Sequence, residues 1–275
     1  MRLYAEFCAS KNYLKKYLTV FIKSLKSELI YRWAALWGIV GAVLGFLIQI
    51  FLWQALLSTG VRNDTNFPDM LLYVLINSFM LQLTRTDVAS IIENTMIDGT
   101  ISMELLRPIS YKGYMLAQTL GKNIYGSLTA TVPLLLLSLF FLSGATFPNV
   151  AHILLFTLSA LLGIALMFEV TYLVGLTAFW LQRCWFIRFY LNGLRSIFGG
   201  TMVPLWFYPE FLITLSYWLP FRYMTFEPIN IFLMKTPLEQ AWIPILAALL
   251  WLVGLSIADN LIWRAATKKL TVNGG

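Results

Sequence analysis

Six long apolar stretches, separated by shorter polar ones, dominate the pattern of hydrophobic positions along the chain. They cover residues 34–57, 70–88, 123–142, 152–181, 186–207 and 242–263. Because about 20 apolar residues are enough for a helix to cross the hydrocarbon core of a bilayer, each stretch is a candidate span. The pattern predicts an all-α integral membrane protein with six transmembrane helices in a domain of residues 34–263.

Residues 1–33 precede the first span and have the pattern of an amphipathic helix. Apolar positions recur every three or four residues, and lysines lie mostly between them. The apolar positions are Leu14, Leu18, Phe21, Ile22, Leu25 and Leu29. Since such helices bind at bilayer surfaces, we expect an interfacial helix on the cytoplasmic face. It is either a basic membrane anchor alone or an anchor with an additional docking role.

Prolines interrupt the apolar and aromatic stretch of residues 198–232, at Pro204, Pro209, Pro220 and Pro228. Proline removes a backbone donor and breaks helices, which argues against one continuous span. We expect a re-entrant extracellular hairpin of two short helices before the last span, packed against protein that satisfies its backbone.

Composition and charge placement favour a membrane protein over a nucleic-acid-binding one. Only 12% of the residues are charged, against about 25% in soluble domains. With the N-terminus inside, the predicted inner segments hold sixteen lysines and arginines, whereas the outer segments hold Arg62, Arg222 and Lys235. This bias predicts cytoplasmic N- and C-termini, with residues 264–275 as a basic tail. We expect a multi-pass protein of the plasma membrane, specifically a bacterial inner membrane.

The residue patterns of enzyme active sites are nearly missing from the sequence. Its one histidine, His152, begins the fourth span, and its two cysteines fit no metal spacing. The stretch "LGKN" resembles the end of a phosphate-binding loop, but Leu116 and Asn123 stand where that loop requires glycine and serine or threonine. We therefore expect no enzymatic activity, no metal and no cofactor in this chain.

Two charged residues lie deep within predicted spans, where charges are costly and often functional. Glu169 and Arg195 are roughly 14–17 Å from the inner ends of the fourth and fifth spans, at the helical rise of about 1.5 Å per residue. We expect them to form an ion pair. The pair either ties the two helices together or takes part in substrate contact or gating.

A charged segment between the second and third spans, "IIENTMIDGTISMELLRPISYKGYM" (residues 91–115), predicts a helical hairpin that projects into the cytoplasm. Gly99 stops its first helix, Thr100 or Ser102 caps a short helix at its tip, and Pro108 ends that helix. Four residues give the tip an apolar side: Ile101, Met103, Leu105 and Leu106. An apolar helix in such a loop indicates a surface for a partner.

Two stretches are similar to permeases of ABC-2 type exporters, closest to the branch associated with daunorubicin-type drug resistance. In "DGTISMELLRPIS" the matching residues are Gly99, Leu105, Leu106, Arg107, Pro108 and Ser110. Before the last span they are Gly199, Pro204, Leu205, Pro209, Leu219, Pro220, Phe221 and Pro228. With the six spans and the N-terminal helix, the resemblance covers nearly the whole chain.

The resemblance implies that ATP and Mg²⁺ bind to a separate ATPase subunit, present in two copies per complex, and that the permease pairs with an identical or related permease. The substrate, an amphipathic or hydrophobic drug, antibiotic, peptide or lipid, would leave the cytoplasm or inner leaflet between the two permeases. The re-entrant helices would close the outer side. The implied ATPase-coupling residues are Asp98, Gly99, Thr100, Ile101, Met103, Glu104, Leu105, Leu106, Arg107 and Pro108.

Two other classes of function stay open. One is an ATP-independent secondary transporter or channel, against which the lack of internal repeats and the scarcity of embedded carboxylates both argue. The other is a non-transporting membrane scaffold or immunity protein, which an ATPase subunit that co-purifies with the chain would exclude.

Overall fold

The computed structural model of the chain describes residues 2–30, 32–59, 66–141, 147–181 and 183–269, and within these ranges the chain is helical without any strand. Its first helices are α1 (Arg2–Glu28), α2 (Arg32–Ser58), α3 (Phe67–Leu83), α4 (Val88–Ile97), α5 (Ile101–Leu105), α6 (Tyr111–Ser138) and α7 (Val150–Leu176). They are followed by α8 (Ala178–Leu181), α9 (Trp185–Phe198), α10 (Glu210–Tyr217), α11 (Phe221–Met224), α12 (Phe226–Phe232) and α13 (Trp242–Lys268). The predicted all-α class is confirmed for the described residues. Residues 1 and 31 of the predicted N-terminal helix, Arg62, and residues 270–275 of the predicted tail lie outside these ranges.

Four helical segments in the described ranges are long and apolar enough to cross a membrane. They are Ala35–Ser58, Phe67–Ile97, Val150–Leu181 and Trp242–Lys268, at the places of the predicted first, second, fourth and sixth spans. At the predicted third and fifth spans lie α6, with 28 residues, and α9, with 14 residues. The chain is therefore a membrane protein with apolar spanning helices, and the total of six spans stays a prediction.

A break between α3 and α4 interrupts the second predicted span, where the sequence predicts one continuous helix. Two side chains from other helices bind to this break. Asn123 Nδ2 of α6 donates to the carbonyl oxygens of Leu83 and Arg85, at 2.6 Å each, and Arg195 of α9 donates to Thr84 Oγ1. A helix end leaves carbonyl groups without helical donors, so the Asn123 amide stabilises the break.

The core of the fold lies around α7, which is buried along most of its C-terminal half and packs against α4, α11, α12 and α13. Two glycines of α7 allow this close packing. A Cβ at Gly163 would lie 2.5 Å from the carbonyl oxygen of Met224, and one at Gly175 would lie 3.0 Å from the Cα of Ala89. Small residues at such positions let helix backbones approach closely. By contrast, α2 packs against α3 and α6 and exposes most of its apolar surface.

The proline-rich stretch before α13 forms short helical segments, most of which begin directly after a proline. Pro204 precedes a 3-10 helix (Leu205–Phe207), Pro209 precedes α10, and Pro220 precedes α11, which begins at the buried Phe221. Pro228 is the exception, since it lies within the first turn of α12. Proline is tolerated there because the N–H groups of a first turn have no helical acceptor.

A buried arginine holds these short helices together. Arg222 of α11 donates to Glu227 Oε1 at 2.5 Å and to Ser216 Oγ at 2.8 Å, and its guanidinium lies 3.7 Å from the centre of the Tyr217 ring. The pair of Arg222 and Glu227 is satisfied within the protein, as a buried charge requires. The position of these helices in the bilayer stays a prediction.

Candidate functional site

The predicted coupling region is a compact turn between two longer helices. Asp98 forms the C-cap of α4, and Gly99 follows in the left-handed conformation with a φ of 70°. The short helix α5 comes next, and Pro108 separates it from α6, whose N-cap is Ser110. Glycine suits position 99 because a side chain at this φ is strained. Residues 98–110 are thus one ordered unit, and we call them the α5 turn.

The side-chain cap that the sequence predicts for α5 does not form. Thr100 is the N-cap residue, but its φ and ψ of −79° and −5° are already helical, and its side chain caps no N–H group. Ser102 Oγ instead donates to the carbonyl oxygen of Gly99 at 3.4 Å. A capping side chain needs an extended backbone at its own residue, and the tight turn at Gly99 does not leave Thr100 in that geometry.

The apolar side of α5 is divided between the protein interior and its surface. Ile101 is 5% exposed and belongs to a buried cluster with residues of α6 and α7, and Leu105 is partly buried against the same cluster. Met103 and Leu106 are 73% and 83% exposed. Ile101 and Leu105 therefore anchor the turn, while Met103 and Leu106 form its outward surface.

The two charged residues of the α5 turn bind each other. Arg107 donates to Glu104 Oε1 at 2.5 Å, and its guanidinium lies 4.2 Å from the centre of the Tyr114 ring. Burial lowers the pKa of Arg107, but its contacts with Tyr114 and Glu104 outweigh burial, so the net direction is upward. The arginine stays charged and ties α5 to the first turn of α6.

The N-terminal helix α1 lies directly against the α5 turn. Lys16 Nζ donates to the carbonyl oxygen of Pro108 at 3.4 Å. Tyr17 Oη accepts a hydrogen bond from the backbone N–H of Ser110 at 3.2 Å and lies 3.0 Å from Ser110 Oγ. An apolar stripe of the same helix remains exposed at Leu14, Leu18 and Ile22, and Leu29 directly after the helix is exposed as well. The described part of α1 thus contacts the turn on one side and presents apolar residues on another.

A charged cluster lies immediately behind the α5 turn. Lys112 Nζ donates to Glu169 Oε2 at 2.6 Å and to Asp259 Oδ2 at 2.8 Å, which joins the first turn of α6 to α7 and α13. The side chain of Asp259 is 1% exposed and that of Glu169 11%. Burial lowers the pKa of Lys112, but the two carboxylates outweigh burial and raise it. We call these three residues the Lys112 cluster.

Glu169 and Arg195, which the sequence predicts to pair, instead have separate partners. Glu169 binds Lys112, and the buried Arg195 donates to Thr84 at the break after α3. Lys112 reaches the carboxylate because the first turn of α6 lies beside α7 and α13, whereas Arg195 lies against the end of α3. Both residues bind neighbouring helices, and a role of either in substrate contact or gating stays a prediction.

A second buried ionic contact joins α4 to the start of α9. Glu93 Oε2 lies 3.2 Å from Arg188 Nη2, with which it forms an ion pair, and accepts a hydrogen bond from Cys184 Sγ at 3.3 Å. Burial, together with the Glu93 carboxylate, raises the pKa of Cys184 to about 11. The thiol is therefore protonated at neutral pH, as its role as a donor requires.

Sequence reasoning missed the Lys112 cluster, although one signal for it was present. Asp259 is an acidic residue in an otherwise apolar final span, and such a residue predicts a cationic partner without saying which one. The partner, Lys112, looked like an ordinary charge of an inner loop. Within the described ranges no group of three or more His, Cys, Asp or Glu side chains could hold a metal ion.

Comparison with known proteins connects this arrangement to one family. A family model described as "ABC-2 family transporter protein" matches residues 42–274. The matched range includes the α5 turn, the Lys112 cluster and the proline-rich stretch. No curated protein matches the chain. The predicted branch within the family stays a prediction.

Proposed function

The chain belongs to the ABC-2 family of transporter proteins, and from this premise we propose that it is the permease subunit of an exporter. ATP is hydrolysed by a separate ATPase subunit, two copies of which bind a pair of identical or related permeases. The pair moves an amphipathic or hydrophobic molecule out of the cytoplasm or the inner leaflet of the plasma membrane. Six spans leave both termini in the cytoplasm, on the side of the ATPase.

The observation that carries the proposal is the outward surface of the α5 turn. Met103 and Leu106 are exposed on a turn that Ile101 anchors to the core. Apolar residues held outward by an ordered element suit a protein partner, and in this family the partner is an ATPase. The α5 turn is then the coupling element, and Met103 and Leu106 insert into the partner.

The Lys112 cluster supports the same proposal because it connects the turn to the membrane domain. Lys112 follows the α5 turn at the start of α6 and binds one residue of α7 and one of α13. A displacement of the turn by the ATPase would therefore act on two spanning helices. α1 would move with the turn, since Lys16 and Tyr17 bind it.

The substitution Leu106→Asp tests the proposal. A charge at the centre of an apolar interface is expected to weaken ATPase binding by about 2 kcal/mol or more, roughly thirtyfold. The measurement is ATPase binding by the purified permease, together with the stimulation of ATP hydrolysis in reconstituted vesicles. Leu105→Asp is the poorer test because Leu105 packs on the permease's own core.

Leu238→Asp is the matched control, since it makes the same change at an exposed residue of the loop between α12 and α13. It is expected to leave ATPase binding and stimulation as they are in the wild type. Equal binding by wild type and by a correctly inserted Leu106→Asp variant would contradict the proposal. Transport by the chain alone, driven by an ion gradient, would replace it with the secondary-transporter alternative.

A further inference from the structure

A cavity of about 270 Å³ lies between α2, α3, α6 and the segment that precedes the 3-10 helix. It lies outside both the α5 turn and the Lys112 cluster. Its walls are mostly apolar, with Phe46, Met70 and Leu134 among them, and no charged residue stands among its described lining residues. A volume near the lower end of the range for ligand pockets suits one segment of a larger molecule.

Asn77 supplies the polar feature that distinguishes this cavity from a packing gap. Asn77 is one of the lining residues of the cavity and is only 7% exposed. Asn77 Nδ2 donates to the carbonyl oxygen of Thr201 at 2.7 Å, whereas Asn77 Oδ1 is buried without a hydrogen-bond partner. The bond to the Thr201 carbonyl fixes which end of the amide is the donor. A buried acceptor left unpaired is costly, and such a group requires an explanation.

The neighbouring hydroxyl groups already donate their protons to backbone carbonyl oxygens. Tyr73 Oη donates to the carbonyl oxygen of Gly200 at 2.6 Å, and Ser78 Oγ donates to that of Val74 at 2.8 Å. Both residues line the cavity, and so do Gln49 and Gln82. The lining residues thus offer oxygen acceptors together with amide groups. A ligand with a hydroxyl or an amide group matches this lining, because such a group both donates and accepts hydrogen bonds.

One exposed edge of the cavity lies at the middle of a spanning helix. Gly45 lines the cavity, is exposed, and leaves open space where a Cβ would stand. It is the central residue of α2, roughly 20 Å from either end at the helical rise. An opening at this depth faces the hydrocarbon core whichever way the chain is oriented.

We propose that this cavity binds an uncharged, hydrogen-bond-donating segment of the exported molecule: a hydrocarbon chain or ring with a hydroxyl or amide N–H that donates to Asn77 Oδ1. The assignment to the exported molecule rests on the proposed function above. It narrows the substrate class to compounds whose buried part carries no charge. A cationic or carboxylate group would find no opposite charge among the described lining residues.

Photolabelling of the full chain in phospholipid nanodiscs tests the site. The probe is a long-chain primary alcohol that carries a diazirine on its chain, and the matched probe is its methyl ether, which has no donor. The alcohol is expected to label residues 42–53 and 70–82 at least about fivefold more than the ether does, because only the alcohol can donate to Asn77. Equal labelling of these residues by the two probes would overturn the proposal.

Gly45→Leu adds a side chain at this exposed edge of the cavity, at a position with open space, so the fold is expected to tolerate it. It should lower labelling by the alcohol to the level of the ether. Gly41→Leu is the control, because Gly41 is one turn away on α2, also has open space and does not line the cavity. Labelling of Gly45→Leu at the wild-type level would also overturn the proposal.

A second arm separates an exported molecule from a resident lipid of the same chemistry. When the ATPase complex hydrolyses ATP, labelling of the cavity by the alcohol is expected to fall, and unchanged labelling would overturn the assignment to the substrate. The comparison of the two probes in nanodiscs, by contrast, needs no ATPase. A failure to bind any ATPase would therefore refute the proposed function without affecting the result for the cavity.

Discussion

The charge balance of the Lys112 cluster makes its lysine more important for the stability of the protein than either carboxylate. One ammonium group serves two carboxylates, of which Asp259 is almost fully buried. Removing Asp259 leaves a neutral pair of Lys112 and Glu169. Removing Lys112 leaves two acidic side chains close together with no cation between them.

Lys112→Met is therefore expected to destabilise the protein more than Asp259→Asn. Breaking a buried ionic contact from one side costs about 3–5 kcal/mol. Because Lys112 is 29% exposed in its side chain, a loss of about 2–3 kcal/mol is the better expectation. The measurement is thermal unfolding of the purified protein in detergent, with Lys268→Met on the exposed end of α13 as the control.

Removal of all three charges should restore most of that loss. The variant Lys112→Met with Glu169→Gln and Asp259→Asn has no unpaired charge, and apolar or neutral replacements of buried ion groups are often close to neutral in stability. If Lys112→Met melted at the same temperature as Lys268→Met, the lysine would not hold the three helices together.

At the scale of the helical elements, the ends of helices were more predictable than the contacts between them. Gly99, Pro108, Pro209 and Pro220 act on their own backbone and that of their neighbours, so their effect can be read from local sequence. The partners of Lys112 are 57 and 147 residues away. Which helices meet is decided by packing of the whole chain, and the sequence pattern therefore assigned Glu169 to another cation.

The contact between α1 and α6 depends on a glycine that carries no sequence signal of its own. A Cβ at Gly121 would lie 2.5 Å from the carbonyl oxygen of Phe21 and 3.0 Å from the Cβ of Ser24. Since the nearest atom belongs to the backbone, a side chain at position 121 must push the two helices apart. The cost of such overpacking is typically about 1–3 kcal/mol.

Gly121→Val is therefore expected to detach α1 from α6 and from the α5 turn. Limited trypsin digestion of the purified protein measures this, because Lys23 and Lys26 on a detached α1 should be cleaved faster. Gly126→Val is the matched control on the same helix, where the nearest atom to a new Cβ is Gln82 Oε1 at an ordinary 3.9 Å. Equal digestion of the two variants would show that α1 does not depend on close packing at Gly121.

At the scale of the whole molecule, hydropathy predicted the spanning helices that are apolar on all sides. Any apolar helix of sufficient length can cross a bilayer, so the length and hydropathy of four spans were enough to predict them without knowledge of the fold. The helix α9 differs because its 14 residues extend only about 21 Å, less than the hydrocarbon core of about 30 Å. A fifth crossing therefore needs residues 199–207, which include a glycine in the left-handed conformation and a 3-10 helix.

The fifth crossing decides on which side of the membrane the C-terminus lies. With six crossings both ends of the chain are cytoplasmic, as the distribution of lysine and arginine predicts. With five crossings the end of α13 would lie outside, away from the α5 turn. This second arrangement conflicts with the contacts of Lys112, which place the same end of α13 close to the first turn of α6.

The number of crossings can be measured with single introduced cysteines in a variant that carries Cys8→Ser and Cys184→Ser. Serine at position 184 keeps a hydrogen-bond donor to Glu93. An impermeant maleimide added to intact cells is expected to label Glu239→Cys, in the loop before α13. It should label Lys15→Cys and Thr267→Cys only after the membrane is opened. Labelling of Thr267→Cys from outside, with Lys15→Cys still protected, would require an odd number of crossings. The tail would then lie on the far side from the ATPase, and α9 would not be a span.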